Sequence, residues 1–332
     1  MLYEQSFQGV SIRGIQVCRL DSRLHYTDPI FDSHTHGIDD EALDILVDIE
    51  KIYGIERAIL ICHSLVIKEY AERTYPSRFV FAKYFSGASR FGQGVEPLLK
   101  EIYSLKEEGY HLAKMQSAPM MRGRANAGPD DLRMDEDEMA RFFGAMKDED
   151  IPFMLHLSDP DTYYASKYTD KKHYSTKERD LQELEGVQTR HADMKLQIAH
   201  FGAQPEIQRL DNLARWFDTY SNFNIDTSSA RWVSRELSKN TEIAREFIIK
   251  YADRLHFGTD CVAFTDDRSY YDGRHLALRL LFETDIRQEP LPFTDTDTIT
   301  TGGTFINGLN LPESVLRKIY WENVNRFFSD YL

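Results

Sequence analysis

From residue 30 onward the chain repeats one unit: a short β-branched or aromatic run, then a stretch with helical apolar spacing. The eight runs cover 30–36, 57–63, 79–85, 111–116, 153–157, 195–201, 222–227 and 255–260. Between them, 41–52, 97–108, 135–147, 205–217 and 234–251 place apolar residues at helical intervals. Strands alternating with helices build βαβ units and a parallel sheet. Eight such units predict an α/β fold, a distorted (β/α)8 TIM barrel, which takes about 250 residues. An open doubly wound sheet would want a glycine-rich turn after an early strand, and no GxGxxG follows any run. The expectation is therefore a single barrel domain over 30–332, with an N-terminal extension, 1–29, packing on it. Within the extension, 10–17 alternates weakly and suggests a short extra strand. Long loops are expected after strand five (159–194) and strand eight (261–312), leaving from the face where barrel active sites lie. Pro312 opens a closing helix that runs through Phe328.

Composition narrows the partners. The 332 residues are 42% hydrophobic, enough for one large core. A net charge of -14 argues against nucleic acid and anionic membranes as partners. It leaves room for a small anionic molecule, because local arginines and lysines decide that. The three cysteines, Cys18, Cys62 and Cys261, are widely spaced and odd in number, so neither a disulfide framework nor a cysteine zinc site is expected. No apolar run reaches the ~18 residues of a membrane span, and the first ten residues lack a signal core. These features point to a reducing cytoplasm and a small-molecule substrate. A homo-oligomer is compatible with the sequence, and no segment specifies one.

The chemistry-bearing residues collect where the strands end. His34 and His36, in Asp32-Ser-His-Thr-His-Gly37, sit at i and i+2 of a strand and so share a face. Alone, such a pair turns up on ordinary exposed strands. Here His63, His156 and His200 also stand at strand exits, five of the eleven histidines, and Asp260 stands at the last. Parallel strands put all of them on one rim. Imidazole and carboxylate donors suit a divalent metal, Zn²⁺ being expected, with one ion rather than two. His156 could instead be a core histidine, His200 a packing residue and Asp260 a helix cap; clustering favours function for each. Lys114, in strand four beside Gln116, is either a lysine snorkelling to the rim, a carbamylated bridge between two ions, or a substrate contact. His63 reads as a support for a ligand, a substrate contact or a structural residue. Arg90, Arg122, Arg124 and Arg231 lie on the same rim's loops; Arg122 and Arg231 are taken as candidate substrate-binding groups for a carboxylate.

These residues resemble a known family. Phe31-Asp-Ser-His-Thr-His-Gly37, the lone His156, Ala199-His-Phe-Gly202, Asn224-Ile-Asp-Thr-Ser228, Phe257-Gly-Thr-Asp260 and the closing helix from Leu311 look like the amidohydrolase superfamily. More narrowly, they look like the amidohydrolase-related branch that also holds aminocarboxymuconate-semialdehyde decarboxylase. The resemblance implies a metal at the barrel's C-terminal end, held by His34, His36, His156 and Asp260. It implies His200 near the substrate as acid or base.

The leading expectation is a metal-dependent hydrolase of an amide, ester or lactone, with metal-activated water attacking the carbonyl. Asp260 would take its proton, and His200 with Lys114 would stabilise the oxyanion. The alternative is a metal-dependent nonoxidative decarboxylase of an aromatic or muconate-like acid. A third reading, a barrel that binds without catalysis, is opposed by the full set of ligand types.

Overall fold

The computed structural model describes residues 20–86, 93–131, 133–221 and 223–329. Residues 1–19, with the suggested strand at 10–17 and Cys18, lie outside these, as does Arg90. The strands are β1 (Ile30–Gly37), β2 (Ile55–Cys62), β3 (Phe79–Ser86), β4 (Leu112–Gln116), β5 (Phe153–His156), β6 (Leu196–Ile198), β7 (Phe223–Asp226), β8 (Leu255–His256) and β9 (Cys261–Ala263). They form one sheet, hydrogen-bonded in the order β8-β7-β6-β5-β4-β3-β2-β1-β9, every pairing parallel. The expected eighth strand, 255–260, is reduced to β8, and β9 lies just beyond it, in residues expected to open the long loop. β8 pairs with β7, and β9 with β1. Between them the chain still bonds to β1: Ser33 N donates to Phe257 O at 2.7 Å, and Asp260 N to His34 O at 2.8 Å. The sheet thus curls into a distorted (β/α)8 barrel.

Inside and outside follow the strand alternation. Phe31, Ile59, Ile61, Val80, Ala82, Leu112 and Met154 fill the barrel floor, joined by Val324 and Phe328 of the closing segment. Ile30, Ala58, Leu60 and Phe81 belong to the larger core between sheet and helices. β1 breaks the alternation. Its register against β2 shifts between Asp32 and Thr35. A bulge of this kind sends flanking side chains to opposite faces. Asp32 consequently faces the surrounding helices, whereas His34 and His36 face the barrel mouth.

Three sequence expectations change in detail. The expected helix over 234–251 is two, Ala230–Leu237 and Thr241–Lys250, because the Asn240 side chain caps the second at Ile243 N, 3.2 Å. Strand six stops at Ile198, and Ala199–Gly202 is a left-handed turn. The two long connections are not bare loops. The first carries the helices Asp161–Ser166 and Lys177–Arg190, the second the helix Arg268–Glu283 and a two-stranded ribbon, Glu289–Pro290 with Phe305–Ile306. Charged residues crowd Lys177–Arg190, so its buried stripe (Leu181, Leu184, Val187) is thin and easily missed. Residues 20–29 lie against Arg268–Glu283: Arg279 Nη2 donates to Tyr26 O at 2.6 Å, and His25 N to Glu283 Oε2 at 3.0 Å. No helix among the described residues is long and apolar enough to cross a membrane.

Candidate active site and metal centre

At the barrel mouth β1 brings its two histidines together. His34 Nε2 and His36 Nε2 lie 3.2 Å apart. Asp260 Oδ1, from the break in strand eight, lies 3.5 Å from the first and 3.4 Å from the second. The break is what delivers it. Gly258 passes so close to β1 that a Cβ there would meet His34 Cβ at 3.0 Å. Asp260 itself adopts φ +57°. A non-glycine residue in the left-handed region is costly and is kept where the surroundings demand it. The exits of strands six and seven show the same strain, at His200 (φ 58°), Phe201 (58°), Ala203 (60°) and Ser229 (65°).

The spacing of these donors tests whether a metal fits. Zinc ligands about 2.0–2.1 Å from a tetrahedral ion lie roughly 3.4 Å from one another. The three observed separations, 3.2, 3.4 and 3.5 Å, match that figure. The protonation pattern agrees. His34 Nδ1 is 2.9 Å from Asp226 Oδ2, which holds the proton on Nδ1 and turns the Nε2 lone pair to the cluster. His36 Nδ1 faces His63 Nε2 at 2.9 Å. Burial lowers His36 to about 3, and His63, stacked on Tyr84 with centroids 4.2 Å apart, to about 4. Two lone pairs facing at 3.2 Å ask for a cation between them. His34, His36 and Asp260 are thus the residues that fit a divalent ion.

Around them runs a hydrogen-bonded chain. Asp159 Oδ1 is 2.8 Å from His156 Nε2, and His156 Nδ1 is 3.1 Å from His200 Nε2. His200 Nδ1 is 2.8 Å from Ser228 Oγ, which also donates to Asp226. Asp226 closes the path at His34 and takes further bonds from Gln197 Nε2 at 2.8 Å and His200 N at 3.0 Å. Burial pushes the Asp226 carboxyl up. The adjacent His34, with His200 and Lys114, outweighs this and holds it well below the usual carboxylate range. Lys114 Nζ reaches His34 Nε2 at 3.2 Å, and burial pulls its ammonium down to about 8. Trp232 stands edge-on to both His200 and His156, at centroid distances of 5.2 and 6.4 Å.

The structure brings His34, His36, Asp260 and Lys114 into one group. His200 stacks on His34, centroids 5.4 Å apart. His156 is one ring further out, with its nitrogens at Asp159 and His200. His63 backs His36. The two arginines are engaged by other groups. Arg122 is buried against Glu183, its Nη2 donating to both carboxylate oxygens at 2.9 and 3.0 Å, and its Nη1 donates to the Asp131 carbonyl at 2.8 Å. Arg231 is engaged by Tyr163 OH at 2.6 Å and Thr296 Oγ1 at 3.0 Å, beside Asp295 and Asp297. Asp226 had no role assigned in the sequence, although it ends strand seven as Asp260 follows strand eight; its place at a strand exit was the available signal. Ser228 was visible only as part of the Asn224–Ser228 motif, and Asp159, three residues after His156, and Trp232, which meets histidines far off in sequence, were given no role.

Comparison with known proteins places the fold. No curated protein matches the sequence. Among solved structures, 5-carboxyvanillate decarboxylase from Sphingomonas paucimobilis aligns with a TM-score of 0.54 at 13% identity, covering 91% of this chain and 99% of that one. The Novosphingobium aromaticivorans enzyme, complexed with manganese and 4-hydroxy-3-methoxy-5-nitrobenzoic acid, gives 0.53 at 13% identity, covering 91% and 96%. The IDCase of Metarhizium anisopliae in apo form gives 0.50 at 11% identity, covering 88% and 79%. At these identities the likeness concerns the fold. A family model described as amidohydrolase matches residues 96–329, which takes in Lys114, His156, His200, Asp226 and Asp260 and leaves the β1 histidines to be placed by the structure. The chain belongs to the amidohydrolase family.

Proposed function

We propose that the protein is a metal-dependent nonoxidative decarboxylase of an aromatic or muconate-like carboxylic acid. The donor set by itself serves hydrolysis equally well. The observation that carries decarboxylation is the near full-length likeness to 5-carboxyvanillate decarboxylases, one of them bound to manganese and a substituted benzoic acid. The aromatic flank of Trp232 and Tyr84 suits a flat ring.

A divalent ion, Mn²⁺ or Zn²⁺, held by His34, His36 and Asp260, with His156 one ring away, supplies Lewis acidity toward substrate oxygens. Lys114, a buried cation beside this cluster, takes up the substrate's negative charge. The bond between the ring carbon and the carboxylate breaks, its electron pair stays on the ring, and CO2 leaves. The ring carbon receives one proton. His200 delivers it and regains a proton from solvent, while His156, bonded to both His200 and the Asp159 carboxylate, holds the ring in place. Asp260 is the alternative donor, less suited because both β1 histidines already engage its carboxylate.

The test is CO2 release by the Mn²⁺-loaded protein from a panel of hydroxylated benzoic acids, run in D2O. One deuterium per product is expected at the former carboxylate position, and chelation should abolish turnover. Opening of amides or lactones with no CO2 from any acid would overturn the reading in favour of hydrolysis. One observation favours that second reading. Lys114 stands 3.2 Å from a ligand histidine, where a carbamylated lysine could join two ions. Two ions per chain, with loading that depends on bicarbonate, would support it.

A further inference from the structure

The strand that carries the two histidines carries another polar cluster on its opposite face. Asp32 on β1, Glu50 on the helix Asp40–Ile52 and His275 on the helix Arg268–Glu283 each bring one donor atom within 4.8 Å of the others. All three residues are fully buried. Glu50 Oε2 accepts from Arg78 Nη2 at 2.6 Å, but Glu50 Oε1 has no partner. His275 Nδ1 lies 2.9 Å from the Tyr271 carbonyl, so the proton sits on Nδ1. The lone pair on Nε2 is likewise unpartnered. Asp32 accepts from His34 N (2.9 Å), Thr259 N (3.1 Å) and Thr259 Oγ1 (2.6 Å), keeping its carboxylate turned to this space.

The gap is therefore faced by acceptors. A buried acceptor without a donor costs about 1–3 kcal/mol, and here two are left open, while Arg78 bonds Glu50 and the Asp32 carboxylate meets amide and hydroxyl donors that carry no charge. A cation answers both deficits. An imidazole whose other nitrogen donates to a backbone carbonyl is the usual posture of a metal-binding histidine. Two carboxylates and one imidazole form a donor set for Zn²⁺ or Mn²⁺.

We propose that Asp32, Glu50 and His275 hold a divalent cation at a structural site separate from the barrel mouth. With every ligand buried, the ion enters as the chain folds. It fastens β1 to the two helices packed on it and fixes the strand just before the bulge that presents His34. This site stands or falls independently of the reaction catalysed at the mouth. A bridging water is the competing occupant; it can donate to Glu50 and His275 but leaves the charge uncompensated.

Crystals of protein produced in zinc-supplemented medium decide the matter by anomalous scattering at the zinc edge. A peak about 2.0–2.2 Å from Glu50 Oε1 and His275 Nε2 is expected. Water-like density there, with a peak at the mouth alone, would overturn the proposal. In solution, the double variant His36→Ala with Asp260→Asn, which dismantles the mouth cluster, should retain a single equivalent of zinc. Adding His275→Gln should reduce it to none. A double variant empty of zinc, or a zinc content unmoved by His275→Gln, counts against the site. Should the triple variant fail to fold, the anomalous map alone gives the answer.

Discussion

β1 sets two clusters of nearly the same composition on opposite sides of one sheet: His34, His36 and Asp260 at the mouth, and Asp32, Glu50 and His275 beneath the helices. They differ in what surrounds them. The mouth cluster keeps one carboxylate partly open, the Asp260 side chain being 31% exposed. Its Asp260 stands on left-handed backbone, and a hydrogen-bonded path through His200 and Asp226 backs it. The enclosed cluster has no exposed member, and its residues, one on β1 and two on helices, keep ordinary negative φ. A catalytic metal needs an open position and a structural one does not. The difference between chemistry and scaffolding is thus made by a one-residue irregularity in β1, which turns Asp32 outward and His34 inward.

The sharpest way to break this contrast is to remove one imidazole from each side. His36→Ala should lower kcat for CO2 release by about 10³-fold, the several kcal/mol that a Lewis acid supplies, while the melting temperature stays near that of the parent chain stripped of its mouth ion. His275→Gln should leave kcat within about twofold and lower the melting temperature by several degrees, as expected when a ligand bound only by the folded state is lost. Paired kinetics and calorimetry on the two variants check this. Equal kinetic losses would mean that both clusters serve the reaction.

A smaller effect probes how the mouth cluster is oriented. Asp226→Asn keeps the shape beside His34 but offers the Nδ1 proton a weaker acceptor. Metal affinity should fall by about 10–100-fold, read by competition with a chromogenic chelator. Rescue by Asp226→Glu would show that the carboxylate, not the packing, is what counts.

Much of this could be read from the chain, for a physical reason. His34, His36, His156, His200 and Asp260 announced themselves because parallel strands bring their ends to one rim, so position along the chain converts directly into place in the fold. The family model and the structure agree with that reading of the fold. What stayed hidden depends on contacts between residues far apart in sequence. Arg122 looked like a free anion fork on a loop; Glu183, 61 residues later, occupies it. The break between β8 and β9 looked like strand, because nothing local says that Gly258 must squeeze past His34. Glu50 and His275 gave no signal: Glu50 is a single polar residue on the buried face of its helix, and His275 lies on a helix within what read as a long loop.

The smallest effect concerns a third buried acid, one without an imidazole beside it. Asp180 is held by the Tyr164 hydroxyl, with Glu183, Arg122 and Ser175 around it. Burial pushes its carboxyl up to about 7, against the partial relief given by Tyr164. The folded value therefore lies above the unfolded one near 3.8. Between about pH 4 and 7 the native chain holds a proton that the unfolded chain has released, so stability from this group falls as pH rises through that window and is level above it. The slope is at most about 1.4 kcal/mol per pH unit, roughly 2–3 °C per unit for a chain of this size. Asp180→Asn, which needs no proton to sit beside Tyr164, should flatten the melting temperature against pH between 4 and 7. If the slope is unchanged, Asp180 is ionised and balanced by Arg122, much as Asp226 is balanced by His34. A neighbouring cation, not depth of burial, would then decide which acids of this barrel keep their protons.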